Sequence, residues 1–191
     1  MPDAITLLKD DHRTVERLFK RFESLGDNAH KSKQQVVAKI IEELSMHSSV
    51  EEQILYPAAR ESLADDSAVL EDLEEHHIVK WTLSELMKMS PTDERYDAKV
   101  KVLTELVRHH IQEEEEELFP TLRETWTRKR AQEVGDALAE AKKFAPTKPH
   151  PRAPDEPPAN VIAGATAAAT DRVVDLARGV VKKATGGRIK I

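Results

Sequence analysis

The chain of 191 residues contains no cysteine, six glycines and eight aromatic residues, four Phe, two Trp and two Tyr. Without thiolates, iron–sulfur clusters, cysteine zinc sites, thiol catalysis and disulfides are all excluded, and His, Asp and Glu remain as candidate metal ligands. The shortage of glycine and aromatics tilts the fold away from sheet. No apolar run approaches the roughly 18 residues that a membrane-crossing helix needs. No basic stretch followed by an apolar one opens the chain, so a cytoplasmic protein without a transmembrane segment is expected. What the chain has in quantity is charge: 29 Lys and Arg against 35 Asp and Glu, or 34% of all residues.

That charge is unevenly spread. Residues 159–191 carry Arg172, Arg178, Lys182, Lys183, Arg188 and Lys190 against only Asp171 and Asp175, so the acidic excess belongs to residues 1–145. An acidic body repels phosphate backbones, and no nucleic-acid partner is expected. Between the two lies PTKPHPRAPDEPP, residues 146–158, with 6 prolines in 13 residues. No helix or central strand absorbs that density, which marks an extended linker. In the tail, Val161, Ala165, Ala168, Val173, Leu176 and Val180 fall near helical spacing. A weakly amphipathic, basic C-terminal helix is expected there, suited to contact with another protein or a membrane surface.

Residues 1–145 read as helix almost throughout. Asp3 is a candidate N-cap, and Ile5, Leu8, Val15, Leu18, Phe19, Phe22 and Leu25 recur at three- and four-residue steps until Gly26. Comparable patterns predict helices over about 32–63 and 67–89, and a fourth that begins at Ser90-Pro91, a capping residue followed by proline at the first helical position. A shorter fifth helix is predicted over about 127–144. Four long helices with short connections imply an all-α, antiparallel, up-down-up-down four-helix bundle with one extra short helix.

The second and fourth of these helices share one sentence. His47-Ser-Ser-Val-Glu51-Glu-Gln-Ile-Leu55-Tyr56-Pro57 and His110-Ile-Gln-Glu-Glu114-Glu-Glu-Glu-Leu118-Phe119-Pro120 both read H-x3-E-x3-L-[YF]-P. Four residues turn an α-helix by about 400°, so each His stands beside its Glu on one stripe. The stripes are otherwise apolar: Ile40, Leu44 and Leu55 on one, Leu103, Val107 and Leu118 on the other. Both His-Glu pairs therefore face the core. A buried carboxylate is costly without a positive partner, and these stripes supply no Lys or Arg, so a divalent cation is the simplest neutraliser.

The first and third helices also repeat, Asp11-His12 with Val15 and Phe19 matching Glu75-His76 with Val79 and Leu83. That alignment selects His76 over His77, and the ten-residue interval to proline selects His110 over His109. The candidate ligands are therefore His12, His47, Glu51, His76, His110 and Glu114, and two equivalent helix pairs suggest two ions. Tyr56, a phenolate ligand by chemistry, is nine residues from His47 and so about 180° away round an ideal helix, and only a bend near Pro57 would bring it to the site. Glu52, Glu113 and Glu115 to Glu117 read as a solvent face, with Glu52, beside a ligand pair, as a substitute carboxylate ligand. His30, His77, His109 and His150 read as exposed, with a supporting role behind the ligands as the alternative for His77 and His109. Pro57 and Pro120 are expected to kink their helices without ending them.

Over residues 3 to about 125 these motifs resemble the hemerythrin-like, or HHE cation-binding, family. The resemblance implies a non-haem di-iron centre, with Glu51 and Glu114 bridging two Fe ions, His12 and His47 on one and His76 and His110 on the other. It implies reaction with O2, H2O2 or NO, in catalase- or peroxidase-like detoxification or in a redox response. A sensor, carrier or iron buffer without turnover is the alternative. Oxygen-carrying members have a further histidine where this chain has Asp72, which leaves that residue as a weak ligand, an acceptor for an imidazole N–H, or a solvated acid.

Overall fold

The computed structural model describes residues 2–154 together with residues 160, 167, 168 and 171. Among these every regular element is helical. Helix α1 (Ala4–Glu23) begins where Asp3, in an extended conformation, accepts a hydrogen bond from the Thr6 N–H at 2.8 Å. The carboxylate thereby satisfies a donor that the first turn leaves without a carbonyl. The face carrying Ile5, Leu8, Val15 and Phe19 is buried, as its three- and four-residue spacing requires. The chain then runs through α2 (His30–Val50), α3 (Tyr56–Arg60), α4 (Ser67–Leu86), α5 (Tyr96–Glu113), α6 (Phe119–Thr125) and α7 (Arg128–Lys142). Pairing of α1 with α2 and of α4 with α5 builds the expected antiparallel bundle. None of the described helices is long and apolar enough to cross a membrane.

Two of the four long rods contain a widened turn. Glu51–Leu55 joins α2 to α3 as a π turn, and Glu114–Leu118 joins α5 to α6 in the same way. The cause is in the sequence: Pro57 and Pro120 are the second residues of α3 and α6. Proline brings no N–H, and in an α-helix its ring clashes with the carbonyl four residues back. In the π turn the Tyr56 N–H donates to the Glu51 carbonyl and the Phe119 N–H to the Glu114 carbonyl, five residues back. The rods continue past their prolines, but the extra residue makes everything beyond lag by about 100°.

The fourth rod begins later than its sequence suggests. Ser90 and Pro91 lie in a turn, and α5 starts at Tyr96. The Asp93 carboxylate accepts from the Ser90 N–H at 2.8 Å and the Ser90 hydroxyl pairs with Thr92 at 2.7 Å. These local bonds offer the backbone an alternative to the first helical turn. Helix α7 starts from Thr127, whose hydroxyl accepts from the Arg130 N–H at 3.1 Å. It packs on α1 so closely that a Cβ at Gly135 would lie 2.7 Å from the Ala4 nitrogen.

The core has two apolar ends. One gathers Leu8, Leu55, Phe119, Leu122 and Leu138, the other Val15, Phe19, Ile40, Leu44, Leu83 and Leu103. Each fully buried side chain of this kind is worth roughly 1.5–3 kcal/mol, enough in sum to tolerate a polar layer between the two ends. Beyond α7, Pro146 and Pro149 are buried. The Asp171 carboxylate accepts from the Thr147 and Lys148 N–H groups at 3.2 and 3.1 Å, and the Arg152 guanidinium lies 6.0 Å from the centre of the Trp81 ring on α4. Residues 160, 167, 168 and 171 are helical, while the rest of the predicted C-terminal helix, with its basic residues, lies outside the described residues.

Candidate metal centre

The polar layer contains His12 from α1, His47 from α2, His76 from α4 and His110 from α5, each no more than 5% exposed, with Glu51 and Glu114 fully buried. All six predicted residues meet. The two glutamates head the two π turns, and each reaches between neighbouring helices. Glu51 Oε2 lies 3.2 Å from His47 Nε2 and 3.4 Å from His76 Nε2. Glu114 Oε2 lies 3.2 Å from His12 Nε2 and 3.7 Å from His110 Nε2. Ligand atoms of His12, His47, Glu51 and Glu114 form one compact group, and those of Glu51, His76 and His110 form a second that shares Glu51. His77 and His109 point outward, as the alignment selected.

Behind each imidazole stands an acid contributed by the neighbouring helix. Asp11 Oδ2 is 3.7 Å from His47 Nδ1, Glu52 Oε1 is 3.1 Å from His76 Nδ1, Glu75 Oε2 is 2.8 Å from His110 Nδ1, and Glu115 Oε1 is 2.9 Å from His12 Nδ1. The pattern closes into a ring, because each acid is adjacent in sequence to an inner residue of its own helix. An Nδ1 proton turned toward a carboxylate leaves Nε2 bare and pointing inward, the arrangement that prepares imidazole for a metal. Three of these acids meet lysines: Lys142 on Asp11, Lys80 on Glu52 and Lys9 on Glu115. Asp72 is buried rather than solvated, its Oδ1 3.4 Å from His110 Nδ1. It takes the acceptor position, sharing that nitrogen with Glu75.

Sequence reasoning missed the outer ring and misplaced one residue. Glu52 is buried and Glu115, though 30% exposed, turns its carboxylate to His12, and the paired acid-His steps Asp11-His12 and Glu75-His76 were the signal for it. Tyr56 is fully buried, with its hydroxyl 3.2 Å from Glu114 Oε1 and 3.3 Å from His76 Nε2. The angular lag of the π turn swings it from the far side of an ideal helix into the polar layer. His150, read as exposed, is half-buried with Nε2 3.3 Å from Asp171.

Protons are distributed unequally over this layer. Burial, with the adjacent Glu114 carboxylate, pushes Glu51 well above the ordinary carboxyl range. Burial acts the same way on Glu114, but His110, with His12 and His47, outweighs it and holds Glu114 at about 2. Two carboxylates so close do not both ionise cheaply, and Glu51 is the one that holds its proton to higher pH. Burial lowers His110, yet Glu114 with Asp72 and Glu75 overrides it and raises that imidazole well above its usual value. His76 is driven well below by burial and by His110. His110 Nε2 and His76 Nε2 lie 3.1 Å apart, and the opposite shifts make His110 the better donor of the pair. Burial raises Asp72 to about 6 and lifts Glu52, where Lys80 opposes it.

The donor set fits divalent cations. His12 Nε2, His47 Nε2, both Glu51 oxygens and Glu114 Oε2 are buried without a hydrogen-bond partner. Buried polar atoms are rarely left so unless an ion or water serves them. Imidazole with carboxylate suits first-row transition metals and zinc. The fold and this layer together define a helical-bundle cation-binding protein. The chain belongs to the hemerythrin HHE cation-binding domain family, whose model matches residues 3–122. It is 29% identical over 168 residues to an uncharacterized hemerythrin-like protein of Schizosaccharomyces pombe, a match covering 87% of this chain and 82% of that one. A DNA nickase of Nostoc is 27% identical over 117 residues, 61% of this chain but 32% of the larger protein. Among solved structures, a hemerythrin HHE cation-binding domain-containing protein of Mycobacterium kansasii superposes with a TM-score of 0.65 at 22% identity, covering 75% of this chain and 86% of that one. That likeness bears on the fold.

Proposed function

We propose that the chain binds two iron ions, His12 and His47 holding one and His76 and His110 the other, with Glu51 and Glu114 between them. We further propose that the loaded centre reacts with O2, H2O2 or NO, in catalase- or peroxidase-like turnover or in a redox response. The observation that carries this reading is the set of unpartnered buried lone pairs on His12, His47, Glu51 and Glu114. Bound iron would supply one-electron redox chemistry and open positions for small oxygen or nitrogen ligands. This chain's own residues do the remaining work. The two apolar ends keep bulk water from the layer, Glu52, Glu75 and Glu115 hold the tautomers of His76, His110 and His12, Asp11 places its charge behind His47, and the Tyr56 hydroxyl presents a proton beside Glu114 and His76.

The test is anaerobic loading with Fe(II), metal analysis, and then exposure to H2O2 and O2. Two irons per chain and gas release from H2O2 are expected. Full loading without turnover places the protein with sensors, carriers or iron buffers, and preference for zinc or manganese over iron overturns the metal assignment.

A further inference from the structure

Pro57 has a second consequence. In the π turn each carbonyl looks five residues ahead for its donor, and for Glu52 that residue is Pro57, which has none. Its carbonyl is reached instead by Asn160, whose side-chain amide donates at 3.0 Å from a position 4% exposed. The other end of Glu52 is held as firmly. Lys80 Nζ lies 2.9 Å from Oε1 and 3.0 Å from Oε2, and Oε1 is 3.1 Å from His76 Nδ1. Lys80 is itself buried, and it sits four residues after His76, on the same face of α4. A buried carboxylate gripped at its main chain and its side chain has one task left, to accept the His76 Nδ1 proton.

We infer that Glu52, Lys80 and Asn160 form a positioning arm for His76, through which residues beyond the family-matched segment help set the geometry of the metal centre. The pseudo-equivalent position shows what the arm adds. Glu115 stands behind His12 as Glu52 stands behind His76, but its side chain is 30% exposed and its partner Lys9 32% exposed. One imidazole is thus locked in a dry setting, while its counterpart is held by flexible, hydrated groups. Carboxylates behind ligating imidazoles fix ring orientation and raise ligand basicity, and losing them costs metal affinity. Here the bracing extends to Asn160, 108 residues away along the chain.

The inference rests on His76 being a metal ligand, and Co(II) titration of the full chain separates the two claims. Wild type, E52Q, K80M, K80R and N160A are compared by Co(II) affinity, by the visible ligand-field spectrum and by the melting temperature of the metal-free protein. E52Q and K80M are expected to weaken affinity about 10–100-fold with an altered spectrum, and K80R to recover part of the loss. N160A is expected to weaken affinity by about 10-fold, with a shifted spectrum and little change in metal-free melting. N160A with wild-type affinity and spectrum overturns the arm, as does a loss that only follows metal-free melting. If K80M does not fold, E52Q and N160A carry the same decision. Wild type that takes up no Co(II) overturns the metal reading itself.

Discussion

Each side chain in the polar layer has a distinguishable job, and substitutions should separate them. Glu51→Ala or Glu114→Ala removes one of the two fully buried carboxylates that reach between helices, so either change should abolish dinuclear loading by metal analysis. His77→Ala and His109→Ala, on the outer surface, should load as wild type does. Protons provide a second readout. Glu51 and His110 both have raised values, so in the metal-free protein each holds its proton to higher pH than usual and must lose it to become a ligand. Uptake near pH 7 should release about one to two protons per chain, seen with a pH indicator in weak buffer. The sign follows from the direction of those shifts. A raised value stabilises the metal-free fold below the group's ordinary value, and that stability is lost as pH climbs through the raised one. Metal and protons compete for these two groups, so metal affinity should rise with pH until their raised values are passed, and a pH-independent affinity would contradict this proton assignment.

At the scale of elements, the π turns and α7 decide what the helical pattern leaves open. A continuous α-helix past Val50 would keep His47, Glu51 and Leu55 together, as their four-residue spacing implies, but would carry Tyr56 away from them. The π turn keeps the first three and adds the fourth. Removing the hydroxyl tests this placement: Tyr56→Phe should retain metal loading but change the visible spectrum of the Co(II) protein, and an unchanged spectrum would put the phenol outside the site's influence. Helix α7 is more than an appendage, since Lys142 near its end pairs with Asp11 behind His47. Its seat depends on Gly135, where an added methyl would meet the backbone of residues 2–4. Gly135→Ala should cost about 1–3 kcal/mol, a drop of several degrees in melting temperature measured by calorimetry.

For the whole molecule, the ionisable layer lies between two apolar ends, and metal binding should stabilise the fold as any ligand of the native state does. At free metal a thousandfold above Kd the gain is about 4.1 kcal/mol, so the melting temperature should rise clearly with Fe(II) or Co(II). Equal melting with and without metal would reduce the chain to a helical bundle with unmetallated histidines. The number and order of the helices, the inward stripes, the Asp3 cap and the six inner side chains were legible in the sequence, because periodicity and the H-x3-E repeat are local properties of one helix at a time, whereas the start of α5 at Tyr96 was not. The outer ring, the buried Lys80, the inward Tyr56 and the Asn160 contact were not. Each depends on which helix stands next to which, and on a one-residue widening that proline imposes but helical periodicity does not express. The sequence alone determined that the His-Glu stripes face the interior. Only the tertiary structure decided which side chains touch, since carboxylates are brought to imidazoles on other helices by packing rather than by spacing.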